Sequence, residues 1–325
     1  MRMRIEFPEG PGRVSRFFTA TLFWLIDFLD ERNASVTTYR IKKLKINKEV
    51  TKRLRSNRNL EDQIGIVIQG QVVSNTTYRI CERYRNLYPN VRIVFSTWDT
   101  EPEIELSKIR NLNVIVILNK PPQIPGPGNI NLQIMSTKAG IEYLSAFSPK
   151  YILKNRSDCW LSSDFFLEYL HILAKTYSSQ QNRIVVPSYN SFLFRLYSPS
   201  DQIQFGEFEV LDFFWSCPYV GNNSEDFRFP ESYLLRNMLS REGFEVKYNI
   251  EDSLTVYRDK FIFADEAQLG LVMNKGTKKS PGNRWASDGY PQPMSEVQFW
   301  NWLELQTDIG QTLSDYAALS EPPVS

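Results

Sequence analysis

Tyr151-Ile-Leu-Lys-Asn-Arg-Ser-Asp158 decides the fold: a short apolar run that passes directly into a charged Arg-x-Asp tip. The apolar part predicts a buried strand, and Pro149 ahead of it stops the preceding helix. In an open α/β sheet, ligands bind outside the carboxyl ends of the strands, so an acid at such a tip is well placed for chemistry. Asp158 is therefore a candidate ligand for a divalent cation, Mg or Mn, that would clamp a diphosphate. Arg156 is a candidate partner for a phosphate or for Asp158 itself. The structural alternative is an acid capping the next helix, where Ser162 and Asp164 also stand.

Upstream, Ile64-Gly-Ile-Val-Ile68 reads as a buried parallel strand, and Gln69-Gly-Gln71 as a tight turn after it. Ser74, Asn75 or Thr76 is positioned to cap a helix reaching to about Tyr88. Val91 to Phe95 predicts a second strand ending in Ser96-Thr-Trp-Asp99, and Val114 to Leu118 a third. A helix over Asn131 to Ala146 then leads to the strand at Tyr151. This β-α-β-β-α-β order predicts a mostly parallel sheet flanked by helices. Between the third strand and the helix lies Lys120-Pro-Pro-Gln-Ile-Pro-Gly-Pro-Gly128, stiff enough to shape a pocket wall. Gly126-Pro-Gly128 is split by proline and is read as loop geometry, not as a dinucleotide turn. No GxxxxGK[ST] occurs, which excludes a P-loop enzyme.

The composition, 42% hydrophobic over 325 residues, suffices for one large core. Cys81, Cys159 and Cys217 lie far apart and His171 is the one histidine. A disulfide framework, a zinc site and a histidine-dependent triad are all poor fits, and the pattern suits a reducing compartment. His171 is read as a helix-packing residue.

Charge is uneven beneath a net of +1: residues 1–60 carry 14 Lys/Arg against 6 Asp/Glu, the remainder 24 against 31. Residues 1–60 are expected to form a basic amphipathic helical arm, and 61–325 the catalytic domain. Residues 13–31 combine Phe17, Phe18, Phe23, Trp24 and Phe28 with polar positions on one helical face. Their longest apolar run, Leu22 to Ile26, is far short of the roughly 20 residues that span a bilayer. The arm suits either an interfacial helix on an anionic membrane or a helix docked on protein.

Six segments in order resemble a known family: Ile68-Gln-Gly70, Phe95-Ser-Thr-Trp98, Asn129-Ile-Asn-Leu-Gln-Ile134, Leu153-Lys-Asn-Arg-Ser-Asp158, Ser200-Asp-Gln-Ile-Gln-Phe-Gly206 and Pro230-Glu-Ser-Tyr-Leu234. They are similar to the WavE-type lipopolysaccharide-synthesis proteins over about residues 62–275. The resemblance implies a GT-A-like fold and a cytoplasmic active site; peripheral contact with the inner membrane is an expectation from residues 13–31 alone. It implies a glycosyltransferase that moves a sugar from a nucleotide-activated donor to a bacterial surface glycan or lipid-linked glycan acceptor. Nucleic acid is not an expected partner. Leu132 departs from the family pattern, which has arginine there.

Sugar transfer needs the leaving diphosphate's charge stabilised, which is the expected role of Arg156 and of Asp158 with its cation. The nucleoside is expected near Gln69, Gly70, Thr97, Trp98 and Asp99, with Asn131, Gln133 and Lys154 as further substrate contacts. An acceptor hydroxyl needs a base. Glu231, at a helix start just after Pro230, resembles the base position of many GT-A enzymes, and Asp201 is the second candidate. Asp265 and Glu266 form a third acidic pair of lower rank. Two other readings stay open: a catalytically silent glycan- or nucleotide-binding subunit, and a nucleotidyl- or phosphotransferase using the same sheet-edge acid.

Overall fold

The computed structural model describes residues 58–178, 182–221, 229–273 and 296–307. Residues 13–31, and the membrane contact expected of them, lie outside the described residues. Nine strands are described: β1 Ile64–Gln69, β2 Arg92–Trp98, β3 Ile115–Asn119, β4 Tyr151–Arg156, β5 Cys159–Leu161, β6 Ile184–Pro187, β7 Ile203–Glu207, β8 Phe261–Ala264 and β9 Leu271–Met273. Seven form one sheet in the order β3-β2-β1-β4-β7-β6-β8, and β5 pairs with β9 in a separate ribbon. Every pairing in the large sheet is parallel except the two made by β7, so β7 alone runs in reverse. The mostly parallel sheet expected from the sequence is present.

The described helices of eight or more residues are α1 Ser74–Leu87, α2 Glu103–Arg110, α3 Ile130–Ser145, α4 Phe166–Tyr177, α5 Phe208–Trp215, α6 Pro230–Arg241, α7 Ile250–Lys260 and α8 Phe299–Thr307. Strand β1 is buried at all six positions, which is why its sequence is an apolar run and not an alternation. Two expectations need correction. First, β2 and β3 are not consecutive, because α2 crosses between them and lets them pair in parallel. Its acidic first turn, Glu103 and Glu105, and basic last turn, Lys108 and Arg110, suit the helix dipole, and Leu106 and Ile109 are its buried anchors. Second, no side chain caps α1. Val73 holds the cap position, and its backbone N–H donates to Thr77 Oγ1 at 2.8 Å.

Helix α3 lies close on β1 because two glycines face the contact. A Cβ on Gly140 would stand 2.4 Å from Val67 Cγ1, and one on Gly65 would stand 2.7 Å from Leu144 Cδ1. The chain runs from β1 outward to β3, then returns past β1 to β4. That reversal opens a crevice at the carboxyl ends of β1 and β4. Cys81, Cys159 and Cys217 are free and buried, and His171 packs edge-on against Tyr151 at 5.2 Å, as a packing residue should. Among the described residues no helix is long and apolar enough to cross a membrane.

The close α3–β1 approach yields a stability test. Gly140→Val overpacks the contact and should cost about 1–3 kcal/mol by chemical denaturation. Glu142→Ala, on the exposed side of the same helix, should stay within about 0.5 kcal/mol.

Candidate active site

The crevice holds a pocket of about 300 Å³. Gln69 and Gly70 enter it from the end of β1, Trp98 from the end of β2, and Arg156, Ser157 and Asp158 from the tip of β4. Gly128 and Asn129 close one wall, and Leu132 and Gln133 of α3 add another. The proline–glycine loop thus shapes a pocket wall as its sequence suggests. Of the expected substrate contacts, Gln69, Gly70, Trp98, Gln133, Arg156 and Asp158 come together here.

The two central strand tips are tied to each other. Ser157 N–H donates to the Gln69 carbonyl at 2.9 Å, and the Ser157 hydroxyl donates to the Gln71 carbonyl at 2.6 Å. Gly70 makes this approach at φ +121°, and a Cβ there would lie 2.7 Å from Ser157 Oγ. Only glycine fits both the backbone angle and the space.

At the tip itself, Arg156 Nε donates to Asp158 Oδ1 at 2.9 Å and Nη2 donates to Oδ2 at 2.7 Å. Such a two-point fork fixes both side chains. Burial disfavours the Arg156 charge, but Asp158, together with Asp201, more than offsets it and raises the guanidinium pKa. A cation at Asp158 would meet a carboxylate whose two oxygens already face the guanidinium. Among the described residues there is no group of three or more His, Cys, Asp or Glu able to hold a metal. Asp158 lines the pocket, so a cation bound there would have to share its oxygens with the Arg156 guanidinium.

Four expected contacts lie elsewhere. Lys154 is wholly buried; its ammonium donates to the Asp201 backbone carbonyl and sits 4.6 Å over the Trp215 ring. Burial, partly countered by Asp201, pushes its pKa down to about 8. It is a strut beneath the Asp201 segment and not a pocket residue. Asn131 is 1% exposed, and its amide donates to the Ile124 and Val220 carbonyls while accepting from Val220 N–H. Thr97 turns its hydroxyl to Glu101, 3.3 Å away, and Asp99 is exposed outside the pocket wall.

The candidate bases sit along the same sheet edge. Asp201 is buried just ahead of β7, whose reversed direction brings its start to the carboxyl end of β4. Glu231 lies in the first turn of α6, behind Pro230. A Cβ on Gly128 would stand 2.8 Å from Pro230 Cγ, so the pocket wall abuts the start of this helix. Burial raises the Glu231 pKa, and the charge of Asp201 raises it further. Asn190, which sequence reasoning missed, donates its side-chain amide to Glu231 Oε1 at 2.7 Å. Its one signal was an asparagine, tolerant of left-handed backbone, three residues past the end of β6. Asp265 accepts from Phe299 N–H at 3.2 Å, at the start of α8, which gives it a structural role.

The Asn131 geometry is directly testable. Asn131→Ala strips partners from the buried Val220 backbone and should cost about 1–3 kcal/mol in denaturation while leaving nucleotide affinity unchanged. Unchanged stability with lost nucleotide binding would return Asn131 to the substrate.

Several solved structures are similar to this chain at low identity. Glucosyl-3-phosphoglycerate synthase from Mycobacterium tuberculosis, in complex with Mn2+, UDP and phosphoglyceric acid, is 13% identical, with 83% of this chain and 85% of that chain covered at a TM-score of 0.42. A cytidylyltransferase from Leptospira borgpetersenii is 12% identical, covering 81% and 99% at 0.37. The 4-diphosphocytidyl-2C-methyl-D-erythritol synthase of Anaerococcus prevotii is 11% identical, covering 66% and 93% at 0.37. Among curated protein sequences, none matches. Residues 64–246, which carry the β1 and β4 tips, the pocket, Asp201 and Glu231, match the family described as WavE lipopolysaccharide synthesis; that is more than half of the chain, and the protein belongs to this family.

Proposed function

We propose that the protein is a glycosyltransferase that moves a sugar from a nucleotide-activated donor to a hydroxyl of a lipopolysaccharide or capsule precursor. One observation carries this reading. The Arg156–Asp158 tip, the pocket between Trp98 and Leu132, and the raised-pKa acid Glu231 all lie on one edge of one sheet. The nucleoside takes the pocket beside Gln69, Gly70 and Trp98. The diphosphate lies at the β4 tip, where the Arg156 guanidinium offers fixed donors to the charge that develops on the leaving group.

The bond changes are simple. The acceptor oxygen forms a bond to the anomeric carbon as the carbon–oxygen bond to the diphosphate breaks. Glu231 takes the hydroxyl proton, and the electron pair of the broken bond leaves on the diphosphate. Burial suits Glu231 to this task, because a higher pKa makes its ionised form the stronger base. Asp158 acts by holding the Arg156 fork in place, and Lys154 by holding the segment of Asp201. A second reading, a silent binding subunit, has one observation behind it. Leu132 lines the pocket where the family pattern has arginine, so that exchange alters the pocket itself.

A panel of radiolabelled nucleotide-sugars offered with a lipopolysaccharide acceptor separates the two, since a silent subunit binds nucleotide without transfer. Glu231→Gln should lower turnover by about 10²–10⁴-fold with donor binding little changed. If Glu231→Gln stays active and Asp201→Asn is dead, their roles exchange. Asp158→Ala should abolish transfer while the protein still folds, with a lowered melting temperature because the partly buried Arg156 guanidinium loses its partner. If the variant remains active, the tip acid has no part in the reaction.

The Glu231 shift also fixes a pH dependence. The base works only when ionised, so kcat should fall as pH drops through its raised pKa, a limb above the ordinary glutamate value of about 4.3. A flat profile down to that ordinary value would remove Glu231 as the base.

A further inference from the structure

We infer that Asn190 is the positioning residue for Glu231, and that Glu296, from the C-terminal part of the chain, holds Asn190 in place. The inference rests on the reading of Glu231 as base and extends it to a residue pair outside the pocket.

The geometry begins with the loop after β6. Ser188 N–H donates to the Ala264 carbonyl at 2.8 Å, and the Ser191 hydroxyl donates to the Pro187 carbonyl at 2.8 Å. The same hydroxyl accepts from Ser200 N–H at 2.9 Å, which ties the loop to the residue before Asp201. Between these anchors Asn190 is 4% exposed and adopts φ +63°, a left-handed angle that asparagine and glycine tolerate better than other residues. That twist gives the residue two donors with two different partners. Its side-chain amide reaches Glu231 Oε1 at 2.7 Å, and its backbone N–H reaches Glu296 Oε1 at 2.8 Å.

A carboxylate that is to accept a proton must be ionised and must present a free lone pair in one direction. The Asn190 amide can only donate at this contact, so it favours the charged form of Glu231. It engages one oxygen and restricts the rotation of the carboxylate, leaving the other oxygen for the acceptor hydroxyl. Glu296 comes from 106 positions further along the chain. It is kept in register by the Phe192–Glu296 bridge and by Val297 N–H donating to the Ser191 carbonyl at 2.8 Å. The charged and titratable groups that act on Glu231 are Asp201, Arg195 and Tyr257, and Glu266 acts on Glu296. Asn190 is the neutral residue set between the two glutamates.

The test uses the full-length protein and the nucleotide-sugar from the panel that supports transfer. Asn190→Gly keeps the backbone angle and removes the amide. It should fold, keep the donor KM, and lose about 10- to 100-fold in kcat. Because the lost hydrogen bond had lowered the Glu231 pKa, the acidic limb of the kcat profile should move to higher pH. Asn190→Asp, which turns a donor into a like charge, should move that limb further the same way. If Asn190→Gly fails to fold, Glu296 decides the question. Glu296→Ala should shift the limb in the same direction and Glu296→Gln, which keeps an accepting oxygen, should restore it. A kcat and limb unchanged in Asn190→Gly, or a Glu296→Ala protein with a wild-type profile, would overturn the inference. An active Glu231→Gln protein would instead overturn the reading of the base, so the two failures are distinguishable.

Discussion

The direction of a single strand organises everything else. Six strands of the large sheet run one way, so their carboxyl ends, with Gln69, Trp98, Arg156 and the approach to Asn190, gather at one edge. Strand β7 runs against them, and its amino end with Asp201 arrives at that same edge. Had β7 been parallel, its start would lie at the far side of the sheet. The Ser157 hydrogen bonds to the Gln69 and Gln71 carbonyls, on either side of Gly70, then fix the distance between the two tips that flank the crevice.

Charge is arranged along this edge in compensated pairs. The Arg156–Asp158 fork is internally neutral, which permits a partly buried guanidinium beside the pocket without an unpaired charge. Lys154, one pleat deeper on the same strand face, is satisfied by a backbone carbonyl and the Trp215 ring. Asp201 lies close enough to bias Lys154, Arg156 and Glu231 together. The edge therefore behaves as one electrostatic unit, in which burial and a neighbouring acid raise the Glu231 pKa and the Asn190 amide draws it back down.

The elements that were legible in the sequence are those dictated by local pattern. Strands β1 and β4 announce themselves as apolar runs because both faces are covered. Helix α2 was missed because eight residues with only two buried positions make a weak periodic signal. At the site, the strand tips and the start of α6 were legible because turn and proline chemistry mark them. Orientation within an element was harder to read. Thr97 and Trp98 are adjacent, yet only Trp98 lines the pocket, since neighbouring strand residues face opposite ways. Lys154 and Arg156 share a face, yet depth makes one a strut and the other a pocket residue. Asn190 and Glu296 were invisible for another reason: their link to Glu231 is purely tertiary, and no spacing in the chain encodes it.

The account stands on the donor occupying the crevice between the β1, β2 and β4 tips. A crystal structure with a non-transferable nucleotide-sugar addresses this directly. The expected result places the base against Trp98, the diphosphate against Arg156 and the anomeric carbon on the side facing Glu231. A nucleotide bound away from this edge, or one bound here with its sugar turned from Glu231, would contradict it.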